Sequence, residues 1–188
     1  DWTRFLGPTM NGISSETKIS RKLPPTLVWE LRKGEGYASP AIRGERLVYL
    51  HRNGGQEFVE CLHPETGAQH WQFNYSTTYE DRYGYSNGPR SSPVIDGDRV
   101  YTLGAQGVLH CLTLDAGRMV WKRNINSDYK VSQDFFGTSG TPLVEGGALI
   151  LNAGAPEGGA CVVALDKTTG KEIWRAGKEW GPGYASPM

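Results

Sequence analysis

The sequence predicts an all-β protein built from repeated four-stranded antiparallel units, and three observations carry that prediction. First, the segment Ser39-Pro40-Ala41-Ile42-Arg43-Gly44 recurs as Ser92-Pro93-Val94-Ile95-Asp96-Gly97 and as Thr141-Pro142-Leu143-Val144-Glu145-Gly146, then starts again at Ser186-Pro187. The prolines lie 53, 49 and 45 residues apart. Second, each unit closes on a glycine four residues before a tryptophan: Gly67 and Trp71, Gly117 and Trp121, Gly170 and Trp174. Two unrelated landmarks keep register, and a repeat of this length marks a stacked architecture. Third, 25 Gly and 11 Pro among 188 residues, with no collagen period, supply tight turns between short strands.

The elements follow in chain order. Residues 1–24 are expected to form an N-terminal extension. No charged-then-apolar leader precedes it, so a signal peptide is expected to be removed already or not included. Residues 25–33, with Leu27-Val28-Trp29-Glu30-Leu31, read as an outermost strand that would close a ring of units. Units follow at 37–73, 90–123 and 139–176, and 184–188 begins another. Within the second unit, Val94-Ile95 turns at Asp96-Gly97-Asp98 into Val100-Tyr101-Thr102-Leu103. A turn at Gly104-Ala105-Gln106-Gly107 leads to Val108–Leu112, and a last turn near Gly117 leads to Met119-Val120-Trp121. Short β-rich runs broken by Gly and Asp are hairpins, and no apolar stripe runs at the helical period.

A four-stranded unit of this size buries neither face alone and is stable only against its neighbours, which is the logic of a β-propeller blade. Pro40, Pro93 and Pro142 suit the start of an innermost strand, where a missing N–H is tolerated. Trp71, Trp121 and Trp174 suit the outermost strand, wedged between blades. A closing strand and about three blades fall short of a closed ring, so the chain is expected to be part of a longer propeller.

Charge and composition remove several functions. Lys plus Arg number 20 and Asp plus Glu number 20, giving zero formal net charge and a pI near 7.1. That balance offers no basic face for nucleic acid or an anionic membrane surface. Six Trp, nine Tyr and five Phe suffice to close a core, and no apolar run is long enough to span a bilayer. Cys61, Cys111 and Cys161 form no CxxC motif, so neither a zinc site nor a disulfide framework is expected. Cys61 and Cys111 each precede their turn glycine by six residues, the place of a small buried residue on a third strand; Cys161 is out of that register. Asp96-Gly97-Asp98 lacks the spaced oxygens of a calcium loop, and Gly154 with Gly158-Gly159 opens no helix that could cradle phosphate. His51, His63, His70 and His110 have no assignable triad partner. No catalytic residue and no metal ligand is assigned.

The candidate site lies in the connections. Residues 74–90 form a long link carrying Tyr75, Tyr79, Tyr83 and Tyr85 among Glu80, Asp81, Arg82, Asn87 and Arg90. Long aromatic loops are often functional, and tyrosine combines contact area with a hydrogen-bonding tip. The links before the other blades, with Tyr37 and with Phe135-Phe136, end at the equivalent point. The expectation is a binding surface at the channel mouth formed by Tyr37, Tyr79, Tyr83, Tyr85, Asn87, Arg90, Phe135 and Phe136.

The segment Ala164-Leu165-Asp166-Lys167-Thr168-Thr169-Gly170-Lys171-Glu172-Ile173-Trp174 resembles the pyrroloquinoline-quinone-like (PQQ-like) β-propeller repeat, with Ser-Pro at the inner strand. Cys61-Leu62-His63 and Cys111-Leu112-Thr113 depart from its Ala-Leu-Asp. The resemblance covers roughly residues 25–188, and the opening Trp2-Thr3-Arg4-Phe5-Leu6-Gly7-Pro8 is similar to the start of exported bacterial members. It implies a seven- or eight-bladed propeller in the periplasm or cell envelope. Members are either BamB-like scaffolds or quinoprotein dehydrogenases, the latter using an adjacent Cys-Cys disulfide, a catalytic Asp and a calcium site. No adjacent cysteine pair occurs here. The expected function is therefore a non-enzymatic module that binds a protein partner or envelope component and needs no cofactor. The alternatives are a PQQ- and calcium-dependent alcohol or sugar dehydrogenase, and a polysaccharide- or peptide-binding module.

Overall fold

The computed structural model describes residues 1–18, 20, 22–132 and 136–188. The first blade contains β1 (Ala41–Arg43), β2 (Arg46–Asn53), β3 (Gln56–Leu62) and β4 (Gln69–Ser76). The second contains β5 (Val94–Asp96), β6 (Arg99–Leu103), β7 (Val108–Thr113) and β8 (Met119–Asn124). The third contains β9 (Leu143–Glu145), β10 (Ala148–Ala155), β11 (Ala160–Asp166) and β12 (Glu172–Ala176). Each is an antiparallel sheet with its strands in sequence order. The short strands β1, β5 and β9 lie side by side as the inner edge of an arc of a β-propeller.

The core sits between blades. Val48, Leu50, Val59 and Cys61 of the first blade meet Ile95, Val100 and Leu112 of the second. Tyr101, Leu103, Leu109 and Cys111 of the second meet Val144, Leu149, Leu151 and Val163 of the third. The second sheet thus buries both faces, and the first and third each bury one face on it.

One joint repeats along the arc. In all three blades the pairing of the third and fourth strands slips by one residue, so that Cys61 faces Trp71, Cys111 faces Trp121 and Ala164 faces Trp174. The bulge turns the indole toward the next blade. There Trp71 lies over Gly117 and donates Nε1–H to the Leu114 carbonyl at 2.9 Å. Trp121 lies over Gly170 and donates to the Lys167 carbonyl at 3.1 Å. A Cβ on Gly117 would stand 2.4 Å from the Trp71 ring, and its φ of +64° is the left-handed region. Glycine is needed there for both reasons.

Residues 27–31 carry no strand, and none of their backbone groups pairs with a sheet among the described residues; a closing strand would pair with a further blade, and the three sheets here are complete without it. A strand needs a hydrogen-bonded neighbour, and here only Glu35, farther along, bridges Arg52. Trp29 nonetheless takes the wedge seat, over Gly67 with Nε1–H to the Pro64 carbonyl at 2.9 Å. Two further features had no periodic signal. Helix α1 (Ile125–Tyr129) is capped by Asn124, whose side chain accepts from the Ser127 N–H, and ends at Lys130 with φ +55°. The N-terminal extension docks on the inner edge: Trp2 and Ile42 exchange two backbone hydrogen bonds of 2.8 Å, and the Ile95 N–H donates to the Thr3 carbonyl.

Candidate functional site

The extended segments that lead into the inner strands place the site. The hydroxyl just before each repeat proline accepts the backbone N–H of the corresponding residue one blade earlier. Ser39 N–H donates to Ser92 Oγ at 3.1 Å, Ser92 N–H to Thr141 Oγ1 at 3.1 Å, and Thr141 N–H to Ser186 Oγ at 2.9 Å. These links tie the blades into one rim. Side chains alternate along extended backbone, so the residues three before each proline share the same side as those hydroxyls. Tyr37, Arg90, Ser139 and Tyr184 hold that position, and all four line an open cleft of about 660 Å³ with Ser39, Ser92, Thr141 and Ser186.

Residues 77–93 form the wall. Asp81 organises it: its carboxylate accepts from Tyr83 N–H at 3.0 Å, Ser86 N–H at 3.1 Å and Arg90 Nη2 at 2.9 Å. Burial would raise this carboxyl, but the two N–H donors and the guanidinium outweigh it and hold it below the usual range. Asn87 Oδ1 accepts from Asp81 N–H, and Arg52 donates to the carbonyls of Tyr79 and Asn87. Gly88 passes so close to Glu35 that a Cβ would lie 2.1 Å from its carbonyl oxygen.

Arg90 is the hub. Its Nη1 donates to the Phe136 carbonyl at 2.9 Å, and its guanidinium lies 5.6, 5.9 and 5.3 Å from the rings of Tyr37, Tyr79 and Phe136. Around it the Tyr83, Tyr85 and Tyr184 rings contact Phe136 at centroid distances of 5.7, 5.9 and 5.5 Å. The Phe136 N–H donates to the Tyr184 hydroxyl at 3.1 Å.

The predicted residues therefore divide. Tyr37, Arg90 and Phe136 line the cleft, and the exposed Tyr83 and Tyr85 flank it. Tyr79 is buried beneath Arg90, and Asn87 serves the loop's own hydrogen bonds. Phe135 lies outside the described residues. Tyr184, Ser139 and the row of hydroxyls were missed, although their constant offset from the repeat proline was readable.

The buried titratable groups are spent elsewhere. Glu57 reaches the second blade, accepting from the Ala105 N–H at 3.1 Å and from the Tyr75 hydroxyl, and burial raises its carboxyl. His110 packs edge-on against Phe73, and burial pushes it down to about 4. Among the described residues no three His, Cys, Asp or Glu side chains gather as a metal site, and no helix is long and apolar enough to cross a membrane.

A family described as outer membrane protein assembly factor BamB matches residues 55–186. Over 44 residues the chain is 48% identical to outer membrane protein assembly factor BamB of Aliivibrio fischeri, a stretch equal to 23% of this chain and 11% of that protein. BamB from Moraxella catarrhalis superposes with a TM-score of 0.50 at 21% identity, over 76% of this chain and 37% of that one. Quinohemoprotein alcohol dehydrogenase ADHIIG from Pseudomonas putida HK5 superposes with a TM-score of 0.54 at 24% identity, over 78% of this chain and 21% of that one. The chain spans well under half the length of these relatives, and the structural likeness is one of fold.

Proposed function

The chain belongs to the family of the outer membrane protein assembly factor BamB, and from that premise we propose that it is a non-enzymatic, extracytoplasmic scaffold that binds a protein partner of the cell envelope through the rim cleft. The observation that carries this reading is the aromatic cluster of Tyr37, Tyr83, Tyr85, Phe136 and Tyr184 around a guanidinium already neutralised by Asp81. Exposed rings held in place by a satisfied polar loop are suited to recognition, since they offer contact area at little entropic cost. No cofactor takes part in this role.

The likeness in fold to an alcohol dehydrogenase makes PQQ the rival. That quinone carries three carboxylates, which call for cationic or N–H partners. In this cleft the lining guanidinium is already committed to Asp81 and to the Phe136 carbonyl, which favours the scaffold reading over the quinone. Titrating PQQ with calcium, followed by absorbance and by dye-linked alcohol oxidation, is expected to give neither saturable binding nor turnover. A photo-crosslinking residue at Tyr83 is expected to capture a discrete envelope protein in cells. Turnover with PQQ, or no crosslink from a folded protein, overturns the proposal.

A further inference from the structure

The cleft has more hydrogen-bond donors than its own acceptors use. Ser92 Oγ, Thr141 Oγ1 and Ser186 Oγ each accept a backbone N–H, and the Tyr184 oxygen accepts the Phe136 N–H. Each hydroxyl still carries a hydrogen, and none of the four donates to a partner among the described residues. Ser139 Oγ is buried at the cleft with no hydrogen-bond partner among the described residues. A buried hydroxyl without a partner is costly, so a ligand that brings carbonyl oxygens would gain by meeting these groups.

We infer that the rim cleft takes an extended, uncharged, proline-rich segment of its protein partner, an inference that rests on the scaffold reading above. Three features of the site select this chemistry. A proline-rich chain presents carbonyls and few N–H groups, which matches a row of hydroxyls whose hydrogens are unspent. Its pyrrolidine rings stack on aromatic ridges, and its fixed φ leaves little entropy to lose on binding. Arg90, the cation among the residues lining this cleft, is neutralised by Asp81 at 2.9 Å and so does not itself draw in an acidic peptide. A saccharide fits less well, because each sugar hydroxyl brings a donor of its own along with its acceptors.

The test measures binding of fluorescein-labelled, end-capped decaproline to the intact protein by anisotropy, beside a Gly-Ser decapeptide and chitotetraose as competitor. Tyr37→Ala removes a ring that is 61% exposed and stacks on Arg90, and Tyr184→Phe removes one donor together with the acceptor of the Phe136 N–H. Decaproline is expected to bind at least tenfold more tightly than the Gly-Ser peptide. Tyr37→Ala should weaken it about fivefold or more, and Tyr184→Phe about threefold, with circular dichroism unchanged. Equal binding of the two peptides, indifference to both substitutions, or displacement by chitotetraose overturns the inference. If decaproline fails while the Tyr83 crosslink persists, the partner chemistry is wrong and the scaffold reading stands; if both fail, both fall.

Discussion

Trp71 and Trp174 occupy the same place in the repeat and should respond unequally to the same substitution. Trp71 is 8% exposed, lies over Gly117 and donates to the Leu114 carbonyl. Trp174 is 43% exposed and has no blade beside it in this chain. Replacing a buried Trp with Ala costs about 3–5 kcal/mol through lost transfer energy and the cavity left behind, and the orphaned Leu114 carbonyl adds to it. For a urea m-value of about 2 kcal/mol/M, the midpoint of Trp71→Ala should fall by roughly 1.5–2.5 M. Trp174→Ala should move it by less than about 0.5 M, as surface changes do. Trp71→Phe separates the two components, keeping most of the apolar area and losing the N–H, at a cost of about 1–3 kcal/mol. The assay is urea unfolding of the 188-residue chain by circular dichroism. Equal losses from Trp71→Ala and Trp174→Ala would refute the wedge argument.

Three further outcomes follow from buried or paired groups. Asp81 is held low in the fold, so its contribution is present above the usual carboxylate range and is lost as pH falls through its depressed value; amide exchange across residues 77–93 should quicken on acidification and be fast at neutral pH in Asp81→Asn. His110 is pushed down to about 4, so the unfolded chain takes up its proton first as pH drops, and up to roughly 3 kcal/mol should be lost between about pH 6.5 and 4. His110→Phe should flatten that part of the stability profile measured by urea unfolding. Burial raises the Cys61 and Cys111 thiols to about 11, so iodoacetamide at pH 8 should leave them unmodified until the chain is unfolded, as mass spectrometry would record.

The blades were legible because their signals are periodic. Pro40, Pro93 and Pro142, and the Gly-to-Trp step of four, mark inner and outer strands whatever the residues between them. The small-residue role of Cys61 and Cys111 also came from register, and the structure places each opposite its tryptophan. Features resting on a single pairing were not legible. The Asp81 to Arg90 bridge, the burial of Tyr79 and the docking of Trp2 on Ile42 depend on contacts that no period announces. Helix α1, at five residues, is too short to display a 3.6-residue pattern. For residues 27–31, the tryptophan signature marks the wedge seat that Trp29 takes over Gly67, whereas strand pairing depends on a neighbour beyond the three blades described. At the cleft, Tyr184 and Ser139 were within reach, because reading backward from each proline gives the lining directly.

The division of labour within the repeat has a consequence for how such proteins diversify. Cohesion between blades depends on the outer-strand indole and the glycine it covers, whereas the cleft is spelled by the residues one and three places ahead of the inner-strand proline. The positions three places ahead of Pro40, Pro93, Pro142 and Pro187 therefore act as separate letters of one word, while the hydroxyls one place ahead also tie neighbouring blades together. Duplicating or exchanging a blade changes a single letter, so specificity in this architecture can be rewritten by recombination of whole modules as readily as by point mutation.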